Sequence, residues 1–388
     1  MIREIGEEIA LLHLNNNQFE HSLPQCDCRP TLKISRDEIR KQYRAFNEGF
    51  PGRVSFAVKA NSHQGVLKAL SECGMSHFDV ASVEEIEMVK RANPKAVLHY
   101  HNPIKSRDEI QQAIEIHGCR RFSVDHLDEL EKIAELVPLA DKSIEIAVRF
   151  RLDAPIENST IQAFDSKFGA TPEEAARILK LVAERGFSAG LTFHPGSQTQ
   201  DPQSYVRHIE AASRIQNSAD IILDFLNVGG GFPTHYKGLK FPELDVFFNA
   251  ISIAYKHHFE IIKTSLECEP GRALVAGAGT LITSVKATRR DRQELYLNDG
   301  IYGGLMEVSQ FPDLQPEYAA PTCQDWSHNI EWTVYGPTCD PIDVLPKQLS
   351  LPADLKEGDR IEFKGTGAYS LSTATRFNGF GDLKVEFK

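Results

Sequence analysis

Six short motifs place chemistry-bearing side chains at the ends of apolar runs. Phe56-Ala57-Val58-Lys59-Ala60-Asn61 closes a run that begins at Val54, and it closes on a single lysine. A lysine there either snorkels to solvent or serves as a partly desolvated amine, the form that condenses with carbonyls. Asp79 lies near the end of the run His77–Val80, and Arg149 near the end of Ile144–Phe150. His194-Pro195-Gly196-Ser197 follows Ser188–Phe193, and Gly229-Gly230-Gly231 follows Ile222–Val228. Glu269-Pro270-Gly271-Arg272 follows Lys263–Cys268. Glycines without a Cβ let backbone N–H groups approach an anion, although a glycine run is equally an ordinary tight turn. Arg272 in the neighbouring loop favours the anion, and a phosphate in particular. His194 reads either as a ring-stacking group or as a satisfied interior histidine.

These side chains need a scaffold that gathers strand ends on one face. Besides the runs just named, Ala96–His99 and Arg121–Val124 read as strands, and amphipathic helical stretches separate them all. Ala175, Ile178, Leu179 and Val182 carry the helical period, and Thr171-Pro172-Glu173-Glu174 supplies an N-cap, a first-turn proline and acids at the positive helix end. Roughly eight strand–helix units in about 250 residues is the size of an α/β fold of the (β/α)8 TIM-barrel type, with a doubly wound open sheet as the competitor. In a barrel the site lies at the C-terminal strand ends, where the six motifs fall. After Ala276 the helical period stops. Leu281–Ala287, Glu294–Leu297, Trp332–Tyr335 and Arg360–Phe363 read as strands of a C-terminal all-β domain, while the stretch from Phe311 to Pro321 has loop composition. The expected division is an N-terminal segment, 1–28, packing with the β domain, a barrel over 29–276, and the β domain over 277–388. Ile2, Ile5 and Ile9 suggest a short amphipathic helix in the first segment.

Bulk properties remove several classes of function. The net charge of −11 over 388 residues, with no dense Lys/Arg run, speaks against nucleic acid as a partner. No apolar stretch is long enough to span a bilayer, and the acidic N-terminus lacks a signal-peptide hydrophobic block. Seven scattered cysteines fit a reducing cytoplasm. Cys26 and Cys28 form a C-x-C pair with no second Cys/His pair at metal spacing, so no metal site is expected.

A lysine, a phosphate cradle and a carboxylate at a strand end suit pyridoxal 5′-phosphate (PLP), which needs an aldehyde-capturing amine and a partner for its ring nitrogen. Glu269 fits the second role, with Glu267, two residues earlier on the same face, as a rival.

The motif set resembles the fold-type III PLP-dependent decarboxylases, the family of ornithine, lysine, arginine and diaminopimelate decarboxylases. The likeness runs from about residue 30 to the C-terminus. Besides the motifs above it rests on Phe78-Asp79-Val80-Ala81-Ser82, Lys167-Phe168-Gly169, Val228-Gly229-Gly230-Gly231-Phe232-Pro233 and Gly367-Ala368-Tyr369. Gly336-Pro337-Thr338-Cys339-Asp340 and Arg376-Phe377-Asn378-Gly379-Phe380 place it nearest the ornithine decarboxylase branch. The resemblance implies that Lys59 holds PLP covalently, that His194 stacks on the ring and that Glu269 pairs with its nitrogen. It implies that Ser197, Gly230, Gly231, Arg272 and Tyr369 hold the phosphate, that Gly229 and Gly271 also belong to the cofactor site, and that Arg149 lies near the ring hydroxyl. Asp79 and Glu85 would support the lysine and the histidine. Cys339 would return a proton to Cα after CO2 is lost, a step suited to a thiol, and Asp340, Phe311 and Phe377 would meet the substrate. It further implies a head-to-tail homodimer in which the loop carrying Cys339 enters the partner's site.

One departure bears on the substrate. Ornithine decarboxylases carry an acid for the distal amine at a place that an ungapped count gives to Phe311, while a gap would bring in Asp313. The expected activity is therefore decarboxylation of an ornithine- or lysine-like amino acid, within polyamine synthesis, or of a carboxy-aminopropyl group on a larger natural product. A racemase would want an arginine at the ring nitrogen and a tyrosine base, which Glu269 and Cys339 oppose. A non-catalytic PLP-binding regulator is the reading from another class. His99-Tyr100-His101-Asn102-Pro103 is a polar cluster with no assigned role.

Overall fold

The computed structural model describes residues 28–138, 140–152, 160–162, 167–259, 263–323 and 326–388. The expected N-terminal segment, apart from Cys28, lies outside them, Cys26 included.

Parallel strands follow one another around a closed ring. Nine hydrogen-bonded segments run in the order Arg53–Val54, Ser265–Cys268, Phe225–Asn227, Ser188–Thr192, Glu145–Arg149, Arg121–Val124, Val97–Tyr100, His77–Val80, Phe56–Ala57. The two ends of that list are halves of one strand, over 53–57. It pairs with the eighth strand at Glu267↔Arg53 and with the second at Ala57↔Asp79. The sheet therefore closes as an eight-stranded barrel and the open-sheet alternative falls away. Helices return each strand to the next, as parallel pairing demands. Pro172–Glu184 starts as its sequence predicts, with a reciprocal capping box between Thr171 and Glu174, and it buries Ala175, Ile178, Leu179 and Val182.

Three details differ from the sequence expectation. Lys59 lies not on the strand but in a 3-10 turn, Val58–Ala60, directly after it, which lifts the amine clear of the ladder. Thr31–Ile34, assigned to the barrel, instead pairs antiparallel with Gly279–Arg289 and parallel with Lys384–Phe387 in the second sheet. Its burial alternates along the strand, as in a strand covered on one face. The second sheet continues through Arg360–Lys364, Glu294–Leu297, Asn329–Tyr335 and Leu349–Pro352. In the stretch read as loop, the strand Glu317–Ala319 pairs with Arg360–Lys364 at the sheet edge, three residues being too few to show a period.

The barrel interior is polar where such barrels are usually filled by branched apolar side chains. Glu267, with 1% side-chain exposure, lies between Arg53 at 2.5 Å and Arg121 at 2.9 Å. Arg121 also bonds to Glu145 and, at 2.7 Å, to His99 Nε2, which in turn lies 2.9 Å from His77 Nδ1. Below the C-terminal strand ends, charge is thus neutralised inside the barrel.

Candidate functional site

A pocket at the C-terminal strand ends is lined by Ala57, Lys59, Asp79, His194, Ser197, Gly230, Gly231, Phe232, Glu269, Gly271, Arg272 and Tyr369. Five strand ends of the barrel and one loop of the β domain thus meet on one cavity. Tyr369 is drawn in by a backbone bond from its N–H to the carbonyl of Ala60 (2.7 Å), beside the lysine, and by a left-handed backbone at φ +64°.

The glycines are needed where they stand. A Cβ on Gly231, at φ +91°, would lie 2.2 Å from the carbonyl oxygen of Gly196. One on Gly230 would lie 2.7 Å from the carbonyl of Glu269 and 3.2 Å from His194 Nε2. The third glycine, Gly229, makes the turn behind them: its N–H bonds to Asn227 Oδ1 at 2.8 Å and its carbonyl accepts from Glu269 N, also at 2.8 Å.

Arg272 is buried at the edge of this cradle. Its two terminal nitrogens fork onto Glu307, one of them also bonding to the Tyr236 hydroxyl at 2.9 Å, and its guanidinium lies 4.8 Å from the centre of the Tyr369 ring. Its Nε is buried with no hydrogen-bond partner among the described residues. A buried N–H is costly when unmade, so an anion between Arg272 and the glycine loop would complete the site.

The opposite end of the pocket is acidic. Glu269 Oε1 takes hydrogen bonds from His101 Nδ1 and, at 2.6 Å, from Asn227 Nδ2. Burial alone would raise its pKa, but the His101 charge and these bonds outweigh burial and leave it lowered. Asp79 goes the other way: burial, then the negative charge of Glu269, push it up to about 7. Glu85 accepts from the N–H of Ala81 at 2.7 Å, and burial raises its pKa. His194, whose Nδ1 accepts from the N–H of Gly196 at 3.1 Å, is held well below the usual histidine range by burial, Lys59 and Arg149. It is neutral at ordinary pH, so it can face a cationic ring without repulsion.

Glu267 does not line the pocket; its charge is consumed by Arg53 and Arg121 one layer below. Arg149 stands behind the lining with its guanidinium 5.3 Å from the Phe168 ring centre. Cys339, Asp340, Phe311 and Phe377 are likewise not among the lining residues. Cys339 is exposed, with its N–H 3.1 Å from Asn378 Oδ1. Asp340 accepts from the Tyr302 hydroxyl at 2.6 Å, and the Tyr302 ring lies 4.9 Å from Phe377. Asp313 pairs with Lys347 at 3.0 Å on the surface. His101, Asn227, Tyr236 and Glu307 were not legible as site residues; of these, only His101 carried a signal, in the unexplained polar cluster.

The pocket fits PLP on its own chemistry: a lysine amine, a cradle closed to any Cβ, an unsatisfied guanidinium N–H and an ionised carboxylate opposite. Comparison with known proteins agrees. Residues 36–276 match the family described as pyridoxal-dependent decarboxylase, pyridoxal binding domain. The lysine/ornithine decarboxylase of Selenomonas ruminantium is 34% identical, with 90% of this chain and 87% of that protein covered. The crystal structure of a lysine/ornithine decarboxylase from Vibrio vulnificus with putrescine superposes with a TM-score of 0.80 at 31% identity, covering 98% of both chains. Antizyme inhibitor 2 of Xenopus laevis is 29% identical, with 90% of this chain and 79% of that protein covered.

Proposed function

Because this chain belongs to the pyridoxal-dependent decarboxylases, with PLP as its cofactor, we propose that it removes the α-carboxylate of an ornithine- or lysine-like diamino acid in polyamine synthesis. The observation that carries this reading is the pocket itself, where Lys59, Glu269 and the Arg272 cradle line one cavity.

PLP supplies an aldehyde for an amine and a protonated ring that accepts the electron pair left when CO2 departs. The residues do the rest. Lys59, in the turn just past its strand, would hold the cofactor through its amine. Arg272 Nε, the N–H groups of Gly230 and Gly231, Ser197, Gly271 and Tyr369 would hold the phosphate, with Gly229 shaping the loop. Neutral His194 would cover the cofactor's ring, ionised Glu269 would keep a proton on its nitrogen, and Arg149 would stand near its hydroxyl. Asp79 and Glu85 stand near Lys59, whose positive charge favours their ionised forms.

Cys339 is suited to deliver the proton to Cα, and Asp340 to meet the substrate's distal amine. Both belong to an exposed stretch away from the pocket lining, which supports a homodimer in which each protomer completes its partner's site. No helix among the described residues is long and apolar enough to cross a membrane.

A second reading is a larger substrate bearing a carboxy-aminopropyl group. Asp313 is committed to Lys347, and Phe311 offers no charge, so one arm of a distal-amine clamp is missing. The deciding experiment is a turnover screen on PLP-loaded protein, read by CO2 release and product mass. L-ornithine, L-lysine, L-arginine, meso-diaminopimelate and a carboxy-aminopropylated nucleotide or peptide form the panel. Fast turnover of ornithine or lysine supports the first reading, and turnover of the large substrate alone supports the second. Silence on the whole panel with intact visible absorption favours a regulatory protein, the role suggested by the antizyme inhibitor relative.

A further inference from the structure

His101 reaches Glu269 across the barrel, 168 residues away in sequence. Its Nδ1 and Asn227 Nδ2 converge on one oxygen, Oε1, while Oε2 meets no hydrogen-bond donor among the described residues. Two donors on one oxygen fix the plane of a carboxylate and leave its other oxygen for a third group. Glu269 lines the pocket, so that third group is whatever the pocket holds.

His101 is itself held. Its N–H bonds to the carbonyls of Val80 (3.2 Å) and His99 (3.0 Å), and its carbonyl accepts from Ser123 Oγ at 2.7 Å. The charged and titratable groups facing its ring are Glu269 from the eighth strand, Asp79 from the second, Arg121 from the fourth and His99 from the third. Burial and Arg121 disfavour a proton on the ring; Glu269 and Asp79 outweigh them and leave its pKa raised. His99, His101 and Glu269 also bring ligand atoms within 4.8 Å of one another, as a metal would need. The Arg121 guanidinium, 2.7 Å from His99 Nε2, puts a fixed positive charge there instead, so the cluster is a hydrogen-bonded support and not a ligand set.

We propose that His101 is a positioning residue for Glu269: by sharing Oε1 with Asn227 it aims Oε2 at the cofactor's ring nitrogen and keeps that carboxylate ionised. The inference rests on PLP occupying the pocket as described above. A carboxylate stripped of this donor would be both freer to rotate and easier to protonate in a buried site. Either change weakens its hold on the ring proton.

The test compares His101→Leu and His101→Ala, which lack the donor, with His101→Asn, which keeps a neutral one. Wild-type protein must first bind PLP with visible absorption; failure there refutes the cofactor assignment and not the role of His101. The readouts are the PLP dissociation constant, from quenching of intrinsic fluorescence, and the acid-side pH midpoint of the visible band. The donorless variants should bind PLP about tenfold more weakly and shift that midpoint up by about one unit. His101→Asn should bind within about threefold of wild type, with a smaller upward shift because the titrating ring is gone. Wild-type affinity and midpoint in a donorless variant overturn the proposal. Should both donorless variants fail to fold, the asparagine variant decides: a shifted midpoint with near-wild-type affinity supports the proposal, and an unshifted midpoint overturns it.

Discussion

Arg272 and Glu307 form a two-pronged ion pair at the edge of the pocket, and that pair leaves the third guanidinium N–H, Nε, buried and unsatisfied beside the glycine cradle. The fork fixes the plane of the guanidinium. A lysine offers one point charge and cannot satisfy Glu307 and a phosphate together. Arg272→Lys should therefore weaken PLP binding by about 10- to 100-fold, while turnover at saturating PLP changes much less. Equilibrium dialysis against PLP, beside kcat at high PLP, checks both. Unchanged PLP affinity would remove Arg272 from the phosphate site.

Lys59 should be indispensable for the visible band. Lys59→Ala has no amine for the aldehyde, so the loaded variant should lose both that absorption and turnover. A spectrum and a rate equal to wild type would refute the assignment.

The two neighbouring glutamates should separate cleanly. Glu267 is buried between Arg53 and Arg121, so Glu267→Gln leaves guanidinium charge underneutralised in the barrel and should cost about 3 kcal/mol or more in denaturant unfolding. Its visible spectrum with PLP should remain near wild type. Glu269→Gln should do the reverse, costing turnover by orders of magnitude while melting close to wild type. Equal effects on stability and spectrum from both variants would contradict the layering.

Asp79 gives a pH test. Its carboxyl is neutral in the folded, PLP-free protein up to about pH 7, whereas the unfolded chain ionises it near 4. Between those values the folded state binds more protons, so this group's favourable contribution is full below about pH 4 and is lost as pH rises through 7. Asp79→Asn should therefore gain stability over wild type by about 1 kcal/mol or more at pH 8, and the gain should shrink toward pH 5. Denaturant titrations of PLP-free protein at the two pH values check this. A gain that grows on acidification would reverse the assignment.

Shared sites make a mixing prediction. Lys59→Ala and Cys339→Ala are each expected to be nearly inactive. Dissociated and reassociated together, they should recover about a quarter of wild-type activity, because half the dimers are mixed and each mixed dimer has one whole site. No recovery above the separate variants would argue that Cys339 acts within its own chain.

Much of the site is legible in the linear chain because its demands are local. Gly230 and Gly231 must lack a Cβ for the loop to close on Glu269 and Gly196, and Lys59, His194 and Arg272 each sit just after an apolar run that has to be a strand. The barrel follows from the alternation of those runs with helices. Thr31–Ile34 falls inside the span 29–276 yet joins the second sheet, because four residues do not say by themselves which sheet they pair with. What covers one face of such a strand is supplied by partners some 250 to 350 residues later.

The amino-acid order by itself determined the chemistry: which side chains end the strands, in what sequence, and hence which cofactor suits them. Tertiary structure decided which of two carboxylates is available to it. Glu267 and Glu269 share a face and a spacing, and nothing within their own strand separates them. Closing the barrel brings Arg53 and Arg121 onto the first, and His101 and Asn227 onto the second. The charge of a buried carboxylate is set by what lies within a few ångströms of it, and here those neighbours come from other strands of the ring.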